Sequence, residues 1–385
     1  MQIKNLLKAA KRIQKAVKAK ECIILYGDAD MDGVSSVLIL QEAIKNAGGS
    51  VARVYFPDRE SNGYGINEHA LKELKHLAPA LLIVMDLGIT NFKEVKLAKA
   101  MGFEVIIIDH HEIIEKLPEA DIIVNPKQKG DRYPFKLFAA CGLTFRLAEA
   151  LLGEKGSPSV KKSILELAML GTVADMMPRE EDNLQIIEDG LAQIGSSWRP
   201  GIRAFFKTKA LAKRESMGDK VSYIISVLNV RDIENELPGA YRLLTMSSLE
   251  EAEALLSILE GKNQERHRII DEIVSTVERE TSKNPESELM FYGDSSFDYV
   301  LLGGAASILA KEHRKPVFLH KKKGAECVGS VRAPHGYDTV KAMEHCSKLL
   351  ITFGGHPPAS GFRIKTKNLK KFEECLSGYF KKHHA

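Results

Sequence analysis

Three aspartates, Asp28, Asp30 and Asp32, lie within five consecutive positions of the stretch YGDADMDGVSS (26–36), directly after an apolar run. Carboxylates at this spacing repel one another, and burying them without a counter-ion costs on the order of several kcal/mol. Divalent cations remove that cost, because hard metal ions prefer carboxylate oxygens as ligands. The stretch therefore indicates a metal site.

Further candidate ligands end other apolar runs of the sequence. Asp86 ends ALLIVMD, Asp109, His110 and His111 follow FEVIII, and Asp175 ends an apolar helical segment. A single acid at such a position is more often a helix cap or turn former, but so many convergent acids favour metal. Carboxylates with one or two imidazoles suit Mn²⁺ or Mg²⁺ better than zinc. A carboxylate that bridges two ions about 3.5–4 Å apart is the usual arrangement in two-metal hydrolases.

The elements around these residues predict an α/β protein. Continuous apolar runs that alternate with helical segments are typical of a parallel sheet covered on both faces. Because ligands of such sheets bind at the carboxyl ends of the strands, the acids and histidines should converge at one edge. Residues 138–245 are predicted to be mostly helical. The predicted strands are 22–26, 51–56, 80–86, 103–109 and 120–124, and the helices between them are 33–47, 67–78 and 90–101.

The second half predicts a long helix and a smaller α/β domain. Residues 249–284 form a polar helical run with few breakers, which is typical of a helix that bridges domains. The predicted division is therefore 1–248, 249–285 and 286–385. In the last part the predicted strands lie near 288–293, 298–302, 316–320, 326–331 and 361–365, and the helices at 304–313, 338–350 and 368–380.

Composition and charge narrow the class of protein. With 385 residues and 44% hydrophobic content, a globular protein of two domains is expected, and no apolar run approaches the length of a membrane span. Residues 290–385 carry 16 Lys and Arg against 8 Asp and Glu, whereas the rest carries 39 against 43. This asymmetry favours a C-terminal part that holds a polyanion. Five scattered cysteines without a CxxC pair predict reduced thiols in a cytoplasmic protein.

The motifs together resemble the DHH phosphoesterase superfamily, and within it the RecJ-like single-strand exonucleases, especially the short archaeal forms. The resemblance covers nearly the whole chain. Its C-terminal part resembles the DHH-associated domain. The stretches that carry it are DADMDG (28–33), Asp86, DHH (109–111), GTVAD (171–175), FPDRESNGYGIN (56–67), GSVR (329–332) and GGHPPASGF (354–362).

The resemblance implies a role for each candidate residue of the first domain. One metal would be held by Asp28, Asp30 and Asp86, and the other by Asp32, Asp86, His110 and Asp175, with Asp86 bridging. Asp109 would orient a neighbouring histidine. His111 would contact the scissile phosphate or assist the leaving oxygen.

The resemblance also implies substrate contacts. Arg332, Ser330 and His356 would grip the substrate phosphate or its terminal nucleotide, and the bare backbone of Gly354 and Gly355 could approach a phosphate closely. Two positions depart from the family pattern. Arg231 lies in LNVR, a weak match to the usual Asn-Ala-x-Gly-Arg stretch, and Leu184 follows Asn183 where the family often has arginine. Tyr64 is the best candidate for base stacking, although a packed turn tyrosine fits as well.

These features predict a metal-dependent phosphodiesterase, most simply a RecJ-like exonuclease that hydrolyses single-stranded DNA or RNA to mononucleotides with two divalent ions, Mn²⁺ preferred and Mg²⁺ possible. Two alternatives stay open. One is an enzyme of the same fold that acts on nanoRNA or another small nucleotide. The other is a replisome protein that docks a GINS-type complex without catalysis, which predicts lost ligands. The predicted partners are single-stranded nucleic acid and replication or repair proteins.

Overall fold

The computed structural model describes residues 2–58, 65–113, 116–283 and 286–383. It contains two compact units, Met1–Gly261 and Lys262–Ala385. Each unit is built around its own sheet, as the α/β pattern of the sequence predicts.

The sheet of the first unit is parallel, and its five strands lie in the order β2-β1-β3-β4-β5. Helices cover both faces, and a separate apolar core lies on each side. The predicted strands and helices of this half are thereby confirmed. The elements are β1 Ile23–Gly27, β2 Arg53–Tyr55, β3 Ala80–Met85, β4 Phe103–Ile108 and β5 Ile122–Val124, with α1 Leu6–Ala19, α2 Met31–Asn46, α3 Glu68–Leu74 and α4 Phe92–Ala100.

Helix α2 packs against the helices Ala140–Leu152 (α5) and Pro158–Ala174 (α6) on one face of this sheet, and these two also pack against each other. Arg199 is almost fully buried and pairs with Glu42 of α2 and Glu166 of α6, which fixes these two helices relative to each other. The remaining elements are α5 Ala140–Leu152, α6 Pro158–Ala174, α7 Glu181–Gln193, α8 Pro200–Lys207, α9 Lys209–Ala212, α10 Met217–Leu228, β6 Ile233–Glu234, β7 Leu237–Pro238 and α11 Gly239–Thr245.

The long helix predicted over 249–284 is α12, Leu249–Thr281. Its first part, up to Gly261, belongs to the first unit, and its second part belongs to the second unit.

The second unit has a mixed sheet in the order β11-β12-β10-β9-β8, in which only β8 and β9 pair in parallel among the described strands. An apolar core lies on each face, one against the helix Tyr299–His313 and the other against the helix Leu369–His383. The elements are β8 Met290–Asp294, α13 Tyr299–His313, β9 Val317–Lys323, β10 Glu326–Arg332, α14 Thr339–His345, β11 Leu350–His356, β12 Ala359–Lys365 and α15 Leu369–His383.

Two sequence-based expectations for this unit are wrong. Residues 298–302 are not a strand but the start of α13, because the Asp298 side chain accepts a hydrogen bond from the Val300 N–H and caps the helix. The expectation of reduced thiols fails for Cys346 and Cys375, which form a disulfide, whereas Cys22, Cys141 and Cys327 are free. The pair lies 29 positions apart and meets because α14 packs on α15.

Among the described residues, every helix is too short or too polar to cross a membrane.

Candidate metal centre

The loop between β1 and α2 carries the three clustered aspartates. Asp28 follows the end of β1, and Asp30 is the N-cap of α2, where its side chain accepts the Gly33 N–H at 3.1 Å. Asp32 lies in the first turn of the helix. A Cβ atom on Gly33 would lie 2.3 Å from the Asp28 carbonyl oxygen, so only glycine permits the loop to fold this tightly.

Strands β3 and β4 are each followed directly by an aspartate. Asp86 directly follows β3 in a left-handed backbone conformation (φ 63°), which is uncommon for a residue other than glycine and is found preferentially at functional sites. Asp109 directly follows β4 and is fully buried. The Asp86 N–H donates to the Ile108 carbonyl, so the ends of the two strands are held in register.

His110 lies at the centre of the cluster. Its Nε2 atom is 3.4 Å from a carboxylate oxygen of Asp86, 3.4 Å from one of Asp175 and 3.8 Å from one of Asp32. These three acids come from β3, the end of α6 and the start of α2. Sequence reasoning placed all of them at one edge of the sheet, and the structure brings them together there.

The six predicted ligands, together with His111, fall into three groups, and within each group the donor atoms lie within 4.8 Å of one another. Asp86 occurs in two groups and His110 in two, so the groups share atoms as a two-ion site requires. The donors are carboxylate oxygens and imidazole nitrogens, a set that fits Mn²⁺ or Mg²⁺. The groups are Asp28–Asp30–Asp86, Asp32–His110–Asp175 and Asp86–His110–His111.

The electrostatics of the cluster show why a cation would bind. Burial raises the pKa of Asp86 well above its usual value, and the charges of Asp32, Asp30 and Asp28 raise it further. Burial and the charges of Asp32 and Asp30 raise the pKa of Asp175 to about 8. Without a cation, these carboxylates therefore resist ionisation, and a divalent ion would relieve this cost.

Asp109 contacts His111 and does not belong to the group of carboxylates around His110. Its two oxygens accept the Ile89 N–H at 3.0 Å and the His111 Nδ1 at 2.7 Å. Burial alone would raise the Asp109 pKa. The hydrogen bond and charge of His111, together with the charge of His110, instead bring the Asp109 pKa below its usual value. Burial lowers the His111 pKa, but the hydrogen bond and charge of Asp109, with the charges of Asp175 and Asp32, more than offset this and raise the pKa. His111 thus tends to hold a proton.

Two supports of the centre were missed by sequence reasoning. The N–H groups of Ala140 and Cys141, at the start of α5, donate to the two oxygens of Asp32 at 2.8 and 2.7 Å. Asn229, at the end of α10, accepts the Met31 N–H at 3.0 Å and so holds the first turn of α2. In the sequence, only the LNVR stretch (228–231), which contains Asn229, pointed to either of these supports.

The candidate phosphate contacts of the second unit lie on neighbouring strands. Arg332 of β10 and His356 of β11 flank Ala359 of β12 from opposite sides, so they are two strands apart at one end of the sheet. Gly355 and Gly354 pair with Ser360 and Gly361 of the same strand. The Arg332 cation and the exposed His356 imidazole, beside the bare backbone of Gly354 and Gly355, are groups that suit a phosphate.

Arg332 is held in place by its neighbours. Its Nη1 donates to the Val331 carbonyl at 2.8 Å and lies 3.3 Å from the Ser330 hydroxyl. A Cβ on Gly303 of α13 would lie 3.0 Å from the Arg332 Nη2, so glycine leaves room for the guanidinium. Arg231, in contrast, lies in the first unit and pairs with both oxygens of Asp58 at 3.1 Å. Tyr64 lies outside the described residues.

Comparison with known proteins agrees with these two units. The model of the DHH family, N-terminal domain, matches residues 22–172, and that of the DHHA1 domain matches residues 288–382. The single-stranded-DNA-specific exonuclease RecJ of Bacillus subtilis is 32% identical over 98% of this chain and 48% of that protein. The chain thus spans about half the length of this curated relative.

Solved structures give the same family. An exonuclease RecJ bound to manganese has a TM-score of 0.79 at 28% identity, over 98% of this chain and 95% of that one. RecJ of Thermus thermophilus in complex with Mn²⁺ has a TM-score of 0.84 at 26% identity, over 99% of this chain and 55% of that one. Both relatives hold manganese, and the acid and histidine groups found here are compatible with a metal site. The two domain models and these similarities fit a RecJ-like member of the DHH superfamily.

Proposed function

We propose that this protein is a two-metal phosphodiesterase that degrades single-stranded nucleic acid as an exonuclease. The observation that carries the proposal is the convergence of six carboxylate and imidazole ligands in groups that share Asp86 and His110. The relatives named above supply the substrate class, since they are named single-stranded-DNA-specific exonucleases.

In this proposal each predicted ligand keeps its role. Asp28, Asp30 and Asp86 hold one ion, and Asp32, Asp86, His110 and Asp175 hold the other. Bound there, Mn²⁺ or Mg²⁺ supplies Lewis-acid activation of the phosphate and of the attacking water. The N–H donors at the start of α5 fix the Asp32 carboxylate, and Asn229 fixes the turn that presents Asp30 and Asp32.

His111 is proposed to act on the substrate itself. Asp109 fixes its Nδ1, which directs Nε2 away from the buried carboxylate. Because the His111 pKa is raised, the ring can present a proton to a phosphate oxygen or pass it to the leaving oxygen. Part of the side chain is exposed, which such a contact requires.

The second unit is proposed to hold the substrate phosphate or terminal nucleotide through Ser330, Arg332, His356 and the backbone of Gly354 and Gly355. Its surplus of basic residues favours a polyanion. Arg231 is a weaker candidate, because Asp58 already pairs with it. We accordingly propose residues 1–248 as the catalytic part, 249–285 as the connection and 286–385 as the substrate-holding part.

The alternatives predict different behaviour. A small-nucleotide phosphodiesterase would prefer a dinucleotide over a long strand. A docking protein without catalysis would be expected to lack ligands, yet every predicted ligand is present in the described cluster. Docking of replication proteins beside catalysis, for example a GINS-type complex, and a cytoplasmic location stay predictions.

The test is hydrolysis of end-labelled DNA and RNA. A single-stranded twenty-mer, the matching duplex and a dinucleotide are each incubated with Mn²⁺, with Mg²⁺ or with EDTA. We expect mononucleotides from single strands with either metal, at least as fast with Mn²⁺, and no product in EDTA. Asp86→Asn should be inactive and Asp189→Asn, an exposed aspartate of α7, should be normal. Full activity in EDTA, or a preference for the dinucleotide, would contradict the proposal.

A further inference from the structure

Met176 has an unusual position next to the metal centre. It directly follows Asp175, the last predicted ligand, and its backbone is left-handed (φ 55°). The residue is 87% exposed, the largest value among the exposed large hydrophobic residues that the structure describes. An apolar side chain is thus presented to solvent within one residue of a metal ligand.

The backbone at Met176 is one that normally selects glycine. The Met176 N–H donates to the Val173 carbonyl at 3.1 Å, and the Met177 N–H donates to the Thr172 carbonyl at 3.2 Å. These bonds form a Schellman motif that ends α6, and Met176 occupies the left-handed position where glycine is usual. Methionine is therefore disfavoured by the backbone and gains nothing from burial, so its side chain calls for another explanation.

Two more apolar side chains are exposed close by. The Nδ2 of buried Asn183 donates to the Leu137 carbonyl at 2.7 Å and to the Pro178 carbonyl at 3.1 Å, so the two loops meet there. Leu137 is 42% exposed and Leu184 is 37% exposed. Leu184 stands where the resembling family often has arginine, so this position is apolar rather than basic.

We propose that Met176 packs against the base of the nucleotide whose phosphate lies at the metal centre, with Leu137 of the adjoining loop as a second apolar contact. The inference rests on the proposed function and deepens it. A thioether is polarizable and adaptable and contacts aromatic faces well. Every base has a π-face, so an apolar contact of this kind accepts any sequence, as an exonuclease requires.

The test compares single strands that differ in one base. One strand carries a normal nucleotide at the end that the enzyme attacks, and the other carries a stable abasic nucleotide there. For the wild type we expect kcat/KM to fall about tenfold on the abasic strand, the size typical of a base contact. In Met176→Gly the same comparison should give less than about a twofold difference, while Met176→Leu should keep most of the wild-type difference.

Lys20→Gly is the matched control. Lys20 also has a left-handed backbone (φ 53°) at the end of a helix, but it is exposed at the end of α1, outside the residues of the centre. Both glycine variants should keep or raise the melting temperature in EDTA, and Lys20→Gly should keep the full abasic difference.

Three results would overturn the inference. Met176→Gly could keep the full abasic difference, it could lose activity equally on both strands, or it could melt at a lower temperature than the wild type. In these cases Met176 does not contact the base, or it serves the fold. If the wild type degrades neither strand with Mn²⁺, the proposed function itself fails, and the inference fails with it.

Discussion

Replacing Asp175 with asparagine should stabilise the metal-free protein. Asp175 lies 3.4 Å from His110, and its pKa is raised to about 8 by burial and by Asp32 and Asp30. A carboxyl whose pKa is higher in the folded state binds its proton more tightly there. Its contribution to stability is therefore present at low pH and is lost as pH rises from about 4 through about 8.

The magnitude follows from the pKa shift. One pKa unit corresponds to about 1.4 kcal/mol, so the full shift would remove about 4 kcal/mol of folding free energy between pH 5 and pH 8. Asp175 is 33% exposed, and solvent screens its interactions, so we expect about 2 kcal/mol. Asparagine removes the charge at similar size, and this part of the pH dependence should vanish.

The assay is urea unfolding in EDTA at pH 5 and pH 8. At pH 8 the Asp175→Asn variant should be more stable than the wild type by about 2 kcal/mol, and the difference should shrink at pH 5. Asp131→Asn is the control. Asp131 accepts the N–H groups of Lys4 and Tyr133 and pairs with Lys136, so its loss should destabilise at both values.

With Mn²⁺ bound, the wild type should instead be more stable than the Asp175→Asn variant. A ligand at a hundred times its dissociation constant stabilises by about 2.7 kcal/mol, and the wild type should gain this while Asp175→Asn gains much less. If the variant is less stable than the wild type in EDTA at pH 8, the carboxylate serves the fold, and the reasoning is refuted. An equal gain from Mn²⁺ in both proteins would remove Asp175 from the ligands.

Three further predictions concern single side chains. Asp86→Ala should abolish hydrolysis with every metal, because one lost bridge loosens both ions, and a residual rate above about a tenth of wild type would argue against the two-metal assignment. Arg332→Ala should raise KM for oligonucleotides more than it lowers turnover of a small reporter phosphodiester, and equal losses on both would mean that Arg332 shapes the catalytic site itself. His320→Phe should protect against acid. His320 is buried, neither of its ring nitrogens has a hydrogen-bond partner among the described residues, and burial lowers its pKa to about 4. Wild-type stability should fall by up to about 3 kcal/mol as pH drops from 6.5 to 4, and this loss should disappear in the variant when unfolding is measured across that range.

The candidate metal ligands could be placed from the sequence because Asp28, Asp86, Asp109 and Asp175 lie at or near the ends of apolar runs. A parallel sheet places the ends of its strands at one edge, so local pattern alone brings Asp28, Asp86 and Asp109 together. The supports of these ligands could not be predicted. Asn229 lies 198 positions from Met31, and Ala140 lies 108 positions from Asp32, so only tertiary packing creates these bonds.

The second unit was harder to predict for similar reasons. The run YVLL (299–302) is apolar and short, and such a run does not distinguish a strand from the start of a buried helix. Strand β11, Leu350–His356, was missed because it is largely exposed and contains two glycines, so it lacks the apolar pattern of the inner strands. The disulfide of Cys346 and Cys375 depends on how α14 and α15 pack, which spacing does not reveal.

The central claim, that the cluster around His110 holds two catalytic ions, is tested most directly by anomalous scattering from crystals of the protein grown with Mn²⁺. We expect two manganese peaks about 3.5–4 Å apart with Asp86 between them. One should be bounded by Asp28 and Asp30, the other by Asp32, His110 and Asp175. A single peak, or manganese bound away from these side chains, would contradict the two-metal account.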